Sequence, residues 1–161
     1  MKILIGLLSQ TLKLVDDGNR VLNEYAISSA MKGAGEQRGS FMTPRGRHVV
    51  RAKIGAGMPV NAVFVGRRPT GELYTPELAE QFPERDWILT RILWLSGLEN
   101  GFNRLGEVDT MRRYIYIHGC PDGTEMGKPG SHGCIRMRNE EVVDLYDRIP
   151  VGTEVDIIEF L

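Results

Sequence analysis

The sequence predicts a mainly β protein forming a single domain over residues 1–161, and three observations carry that expectation. Short runs rich in Leu, Val and Ile recur along the chain, separated by clusters bearing Gly, Pro, Asp and Asn. Only two segments have the caps and apolar spacing of helices. A chain of 161 residues, 42% hydrophobic and 25% charged, has the size and composition of one globular core. The formal charge of -1 and a pI near 6.3 supply no field that would hold nucleic acid or an anionic membrane surface. No stretch approaches the ~20 apolar residues a membrane-spanning helix needs.

Residues 2–8 read as the first strand. A secretory leader wants roughly 7–15 uninterrupted apolar residues and a small-residue cleavage site, whereas Ser9, Gln10, Thr11 and Lys13 interrupt this run before Asp16 and Asp17. The expected location is the cytoplasm, where both cysteines are reduced, or the periplasm if the start is truncated. Residues 11–15 and 20–27 flank Asp16-Asp17-Gly18-Asn19, which supplies the positive-φ positions of a hairpin turn. Residues 33–39, rich in Gly, and Thr43-Pro44-Arg45-Gly46 break regular structure.

Further strands are expected at 47–53, 61–66, 87–95 and 113–118. The segment 87–95 shows no helical polar face, so a strand covered on both sides is expected there. A short helix starts after Thr75, its N-cap, with Pro76 at the first helical position, where a missing N–H costs nothing. A second helix spans 140–149. Asn139 is the expected cap, Glu140 and Glu141 suit the positive end, and Val142, Val143, Tyr146 and Ile149 form the apolar stripe. Pro150 and Gly152 stop it, and a strand at 154–160 follows.

Four of the five cysteine and histidine residues fall in two copies of His-Gly-Cys, at 118–120 and 132–134. Three readings stand. In the first, Cys134 is a nucleophile and His118, at the end of the apolar run Tyr114-Ile115-Tyr116-Ile117, is the base that a weakly acidic thiol requires. Gly133 then leaves the backbone open beside the sulfur, where N–H groups can meet an oxyanion. In the second, His118, Cys120, His132 and Cys134 bind zinc, although His-x-Cys is not the usual ligand spacing. In the third, Cys120 and Cys134 form a disulfide, for which a cytoplasmic chain offers no oxidising setting. Gly33-Ala34-Gly35 and Gly55-Ala56-Gly57 lack the helix and third glycine of a dinucleotide fingerprint. No metal and no cofactor is expected.

The run Ser131-His132-Gly133-Cys134-Ile135-Arg136-Met137, preceded by a strand ending in His118-Gly119 and by Thr43-Pro44-Arg45-Gly46, resembles the catalytic domain of the L,D-transpeptidase (YkuD-like) family. The resemblance runs from the first hairpin through Gly152-Thr153-x-Val155, and the sixteen positions from His118 to Cys134 fit the family's spacing. It implies a β-sandwich of two mixed sheets with one or two short helices and a long loop capping the cysteine. The substrates it implies are peptidoglycan stem peptides or muropeptides, attacked at the carbonyl of the third residue, usually diaminopimelate, with loss of the terminal D-alanine to leave a thioester. An amine resolves that thioester in L,D-transpeptidases and water does so in L,D-carboxypeptidases.

Carried onto this chain, the resemblance makes Cys134 the nucleophile, His118 the base and Gly119 the neighbour whose carbonyl orients the imidazole. The amides of His132, Gly133 and Cys134 supply the oxyanion hole, and Arg136 and Ser131 contact substrate. A loop-bracing role for the His132 ring and a local backbone hydrogen bond for Ser131 are the simpler alternatives, and tying the loop down is the alternative for Arg136. Cys120 is expected to be packed and inert, His48 to be structural, and the arginines at 45, 47, 51, 67, 68, 112 and 113 to be mostly solvated. With no leader visible, the expected reaction is hydrolysis: an L,D-carboxypeptidase of muropeptide recycling. Cross-linking or D-amino-acid exchange is the rival, and a non-enzymatic zinc or wall-binding module the alternative of another class. Oligomeric state is not legible.

Overall fold

The computed structural model describes residues 1–161. The first three strands, β1 (Lys2–Gly6), β2 (Thr11–Val15) and β3 (Val21–Ala26), lie side by side as antiparallel neighbours. Ile3, Ile5, Leu12 and Leu14 alternate along β1 and β2 and are fully buried, the two-residue period of a strand with one covered face. The hairpin turn forms where expected. Asn19 takes φ 64°, and Asp16 Oδ1 accepts from the amides of Gly18 and Arg20 at 2.9 Å each, closing the turn with its own first side chain.

The rest of the chain supplies β4 (Gly46–Ile54), β5 (Ala62–Val65), β6 (Arg68–Leu73), α1 (Pro76–Gln81), β7 (Ile88–Gly97), a 3-10 turn at Gly106–Val108, β8 (Tyr116–Gly119), β9 (Ile135–Met137), α2 (Asn139–Arg148) and β10 (Glu154–Ile158). The strands lie in the order β3-β2-β1-β10-β4-β7-β8-β9. β5 and β6 continue along the β4 side of β7: Ile92 pairs with Ile54 and His118, and Leu89 with Val63 and Gly119. The β1–β10 and β8–β9 pairs are parallel and the others antiparallel, so the sheet is mixed.

One feature departs from the two-sheet sandwich. All ten strands are joined in a single hydrogen-bonded sheet, and its far ends meet: the extension of β3 at Ser28 exchanges two 2.9 Å backbone bonds with Arg136 of β9. Register shifts, one in β4 where Arg51 is skipped between Val50 and Ala52 and one in β7 between Leu89 and Ile92, add the twist that rolls the sheet. The main core lies inside the roll, where Ile5, Leu12, Leu95, Ile117, Ile135 and Ile157 pack with Val142 and Leu145 of α2.

Local differences have physical causes. β8 begins at Tyr116 rather than 113, because Tyr114 takes φ 58° and interrupts the extended chain. β6, largely exposed and bearing Pro69, lacks the alternation that marks a strand, and β9 is three residues long. Thr75 caps α1 through its hydroxyl, which accepts from Leu78 N at 3.0 Å. Asn139, by contrast, does not cap α2. Arg138 occupies that position without a side-chain bond, and Asn139 is the first helical residue, fully buried.

Its side chain is used elsewhere. Thr90 Oγ1 donates to Asn139 Oδ1 at 2.6 Å, and Asn139 Nδ2 lies 2.9–3.2 Å from Cys120 O, Asn61 Oδ1 and Asp122 Oδ1. Three segments, at 61, 90 and 120–122, therefore converge on one amide. Because a buried polar group left without its partner costs about 1–3 kcal/mol, Asn139→Ala is expected to destabilise the fold by about 3 kcal/mol, measured by urea unfolding, whereas a wild-type midpoint would show that the network contributes nothing.

His48 is buried between Gly46 O (2.9 Å from Nδ1) and Thr110 Oγ1 (3.0 Å from Nε2). Burial pushes its pKa down to about 4. An unfolded histidine takes a proton near pH 6.5, so between about pH 6.5 and 4 the unfolded chain binds a proton the folded chain refuses, and stability falls as pH falls. His48→Gln is expected to flatten this limb by up to about 3 kcal/mol between pH 7 and 4, read from unfolding midpoints across that range. An unaltered slope would assign the acid sensitivity to other groups.

Candidate active site

The site is built on the parallel pair β8–β9. Their register sets Ile117 beside Ile135, His118 beside Arg136 and Gly119 beside Met137. Ile117, Ile135 and Met137 are fully buried in the core. Two-residue alternation then turns Tyr116, His118, Cys134 and Arg136 to the opposite face, where all four line one cavity of about 400 Å³.

Cys134 sits just ahead of β9, at the end of a loop fixed from several sides. Ser131, buried, donates its hydroxyl to Cys134 O at 2.5 Å and accepts from Gly133 N at 3.2 Å. Gly133 takes φ 134°, and a Cβ there would press on Ile115 Cδ1 at 3.2 Å and Met42 O at 3.3 Å, so only glycine fits. Thr43 donates to Gly133 O at 2.9 Å and accepts from Ala30 N at 3.0 Å. The sulfur itself receives the amide of Tyr116 at 3.3 Å, and its thiol donates to Tyr114 O at 3.4 Å. The positive φ of Tyr114 belongs to the same turn that aims this carbonyl.

His118 is buried, and its Nδ1 lies 2.6 Å from Gly119 O. A carbonyl only accepts, so Nδ1 carries the proton and Nε2 keeps its lone pair, the tautomer a base requires. Gly119 has no room for a side chain: a Cβ would meet Asn139 Oδ1 and, at 2.7 Å, Leu89 O. Burial lowers the pKa of His118 and pushes that of Cys134 up to about 12. At neutral pH the two groups rest as a neutral imidazole and a thiol, so the proton must leave sulfur as sulfur attacks.

Of the three amides assigned to an oxyanion hole, the structure sets one aside. Gly133 N–H is bonded to Ser131 Oγ, whereas the amides of His132 and Cys134 have no partner within the chain. The Ser131 hydroxyl is likewise occupied by two backbone groups, although the residue borders the cavity. The His132 ring is exposed and stands edge-on to Phe41, with centroids 6.0 Å apart. Arg136 both ties the loop and faces the cavity: Nη1 donates to Gly130 O at 3.0 Å and Nη2 lies 3.4 Å from Asp86 Oδ1.

Two arginines grouped with the surface in the sequence reading border the cavity. Arg67 stacks on Trp94 and Tyr114, 4.8 and 4.7 Å from the ring centroids, and donates to the Tyr116 hydroxyl at 3.1 Å. Arg113 donates to Gly35 O, Glu36 O, Ser40 Oγ and Met42 O, fastening the 35–42 loop beside the site. Asp86 and Thr43 are also site residues that sequence reasoning missed as such. Thr43 carried a signal in its Thr-Pro-x-Gly context, whereas Asp86 lies in a polar run with no pattern of its own. The other cysteine is separate. Cys120 is buried, donates to Met137 O at 3.2 Å and forms no disulfide with Cys134. No group of three His, Cys, Asp or Glu side chains converges to hold a metal.

Comparison with known proteins agrees with this construction. Residues 2–157 match the family YkuD, described as the L,D-transpeptidase catalytic domain. A putative L,D-transpeptidase of Bacillus subtilis, YqjB, is 48% identical over 59 residues, 37% of this chain and 32% of its own. The probable L,D-transpeptidase YbiS of Escherichia coli K12 is 43% identical over 47 residues, 29% of this chain and 15% of its own. The matches thus span less than a third of these relatives' length. Among solved structures, an Enterococcus faecium L,D-transpeptidase superposes with a TM-score of 0.58 at 19% identity, covering 98% of this chain and 49% of that one. One from Xylanimonas cellulosilytica gives 0.55 at 22%, covering 97% and 59%. At such identities the likeness is one of fold, while the family match extends over nearly the whole sequence. The chain belongs to the L,D-transpeptidase catalytic-domain family.

Proposed function

We propose that this domain is a cysteine acyltransferase that opens the bond between the third, L-configured centre of a peptidoglycan stem and its terminal D-residue. The observation that carries the reading is the placement of Cys134 and a His118 of fixed tautomer on one face of β8–β9, at one cavity of about 400 Å³. His118 Nε2 takes the thiol proton while sulfur bonds to the carbonyl carbon, and the amides of Cys134 and His132 receive the oxyanion. Collapse breaks the C–N bond, the departing amine takes the proton from His118, and a thioester remains on Cys134.

Water, deprotonated by the same Nε2, then releases the acyl group and regenerates the thiol, which makes the reaction an L,D-carboxypeptidase reaction. This step needs no seat beyond those already described. The second reading, release by an amine of another stem, is favoured by one observation: the catalytic cavity adjoins two others, of about 380 and 310 Å³, which share His132 and neighbouring residues with it.

Given a disaccharide-tetrapeptide, the purified protein is expected to yield the tripeptide form and free D-alanine by mass spectrometry. Dimers, or exchange of the terminal residue for added D-methionine, would replace hydrolysis with transfer. Cys134→Ala is expected to abolish all turnover, and its survival would exclude the thioester route.

The pH profile follows from the lowered pKa of His118. Activity requires the neutral imidazole, so kcat/KM is expected to fall on the acid side with an apparent pKa below the ordinary histidine value of about 6.5. His118→Gln should cost at least about 100-fold and remove that limb; a variant that keeps the limb would assign it to another group.

A further inference from the structure

On one side the catalytic cavity continues into a cleft of about 310 Å³, with which it shares Arg113, Tyr114, Ile115 and His132. Three arginines line this cleft, Arg38, Arg112 and Arg113, and no carboxylate does. The concentration of charge is local, because the chain as a whole carries a formal charge of -1. Arg113 is engaged by the carbonyls and the hydroxyl of the 35–42 loop. The guanidinium groups of Arg38 and Arg112 are exposed and have no partner within the chain. The carboxylates nearest to them in sequence are held elsewhere: Glu36 bonds Arg45 through both oxygens, and Asp109 accepts from the amides of Leu105 and Arg112. Glu107 contributes no side chain to the lining.

The backbone presenting the two free arginines is pinned. Arg38 N donates to Glu107 O at 2.7 Å, Arg112 N donates to Asp109 Oδ2 at 2.9 Å, and Arg113 ties one loop to the other. The cleft is therefore formed before a ligand arrives, which lowers the cost of binding. Its other wall is aromatic. Phe41 takes φ 60°, a costly conformation for a bulky residue, and its ring stands 53% exposed, as does that of Tyr114. A single carboxylate is satisfied by one guanidinium fork. Two free forks beside an anchored third suit a group with more charge and more oxygens, and a phosphate monoester carries a charge of about -1.5 to -2 and three acceptor oxygens at neutral pH. The exposed rings give flat apolar faces on which a sugar or a nucleobase can lie. We infer that this cleft binds the phosphate monoester of a ring-bearing molecule, the phosphate on Arg38 and Arg112 and the ring against Phe41. The site goes beyond the acyl-transfer function proposed above and does not rest on it, because occupancy is read without turnover.

The test is titration calorimetry of the whole chain with four probes: glucose phosphate, uridine monophosphate, inorganic phosphate and succinate. At least one of the two esters is expected to bind with one-to-one stoichiometry and about tenfold or more tighter than succinate, the tighter ester identifying the ring. Arg38→Gln and Arg112→Gln should each weaken that ester by about tenfold, and Phe41→Ala should bring it down to the affinity of inorganic phosphate. Neither arginine side chain makes a bond in the fold, so both variants are expected to keep the wild-type urea midpoint. Arg136→Gln, across the catalytic cavity, should bind as the wild type does. Absence of saturable binding by both esters, succinate binding as tightly as they do, or affinities unaltered in both Arg38→Gln and Arg112→Gln would overturn the inference. Loss of binding in Arg136→Gln would move the anion into the catalytic cavity and overturn it as well. Each of these results leaves the acyl-transfer reading standing, because no step of that reaction uses Arg38 or Arg112.

Discussion

A bulge in β7 governs the geometry of the rest. Between Leu89 and Ile92 the strand carries two residues that its partner β8 does not match, and Thr90 takes φ 75° there. The Thr90 hydroxyl receives the amide of Asn61 and donates to Asn139. A non-glycine residue at positive φ is costly, and surrounding bonds must hold it. With those bonds made, Leu89 O comes so close to Gly119 that no side chain fits. β8 is thereby seated at a fixed depth, and the carbonyl of Gly119 is turned onto Nδ1 of His118. The tautomer of the imidazole is decided by the backbone of its own strand, and that backbone is set by a neighbour's irregularity.

The sulfur is held by a separate set of bonds. Thr43, Ser131 and the conformation of Gly133 fix the loop, while Tyr114 and Tyr116 contribute a carbonyl and an amide to the thiol. The two assemblies meet only across β8–β9. Burial drives the pair's pKa values apart in the sense that keeps both groups uncharged. A sulfur that stays protonated at neutral pH is a poor target for adventitious oxidants, because the thiolate is the reactive form. Reactivity then depends on a carbonyl being present to receive the electron pair at the moment the proton leaves.

Much of this was legible because it is local. The strands at 11–15 and 47–53 announce themselves by alternation, the turn at Asp16–Asn19 by its residues, and the cap at Thr75 by the proline that follows. Asn139 had the right type and place for a cap, yet its amide is worth more to Thr90 and Cys120 O in the interior than to a solvent-side helix end. β6 could not be read because an exposed strand has no buried face to impose a period. The joining of two expected sheets into one roll depends on Ser28 meeting Arg136 from more than a hundred positions away, which no local pattern encodes. Asp86 escaped notice for the same reason: its significance comes from the company it keeps in the cavity.

The placement of β10 bears on how the sheet folds. This strand, the last of the ten in chain order, does not lie at a sheet edge but between β1 and β4. Until it is inserted, the N-terminal hairpin is joined in the sheet to the half carrying Cys134 only through the Ser28–Arg136 bridge. The roll is therefore completed by a strand distant in sequence from β1, and folding is dominated by contacts between distant positions, a slow topology. Cys134 and His118 take up their places in the finished sheet only once residues near Ile157 are there to join β1 to β4.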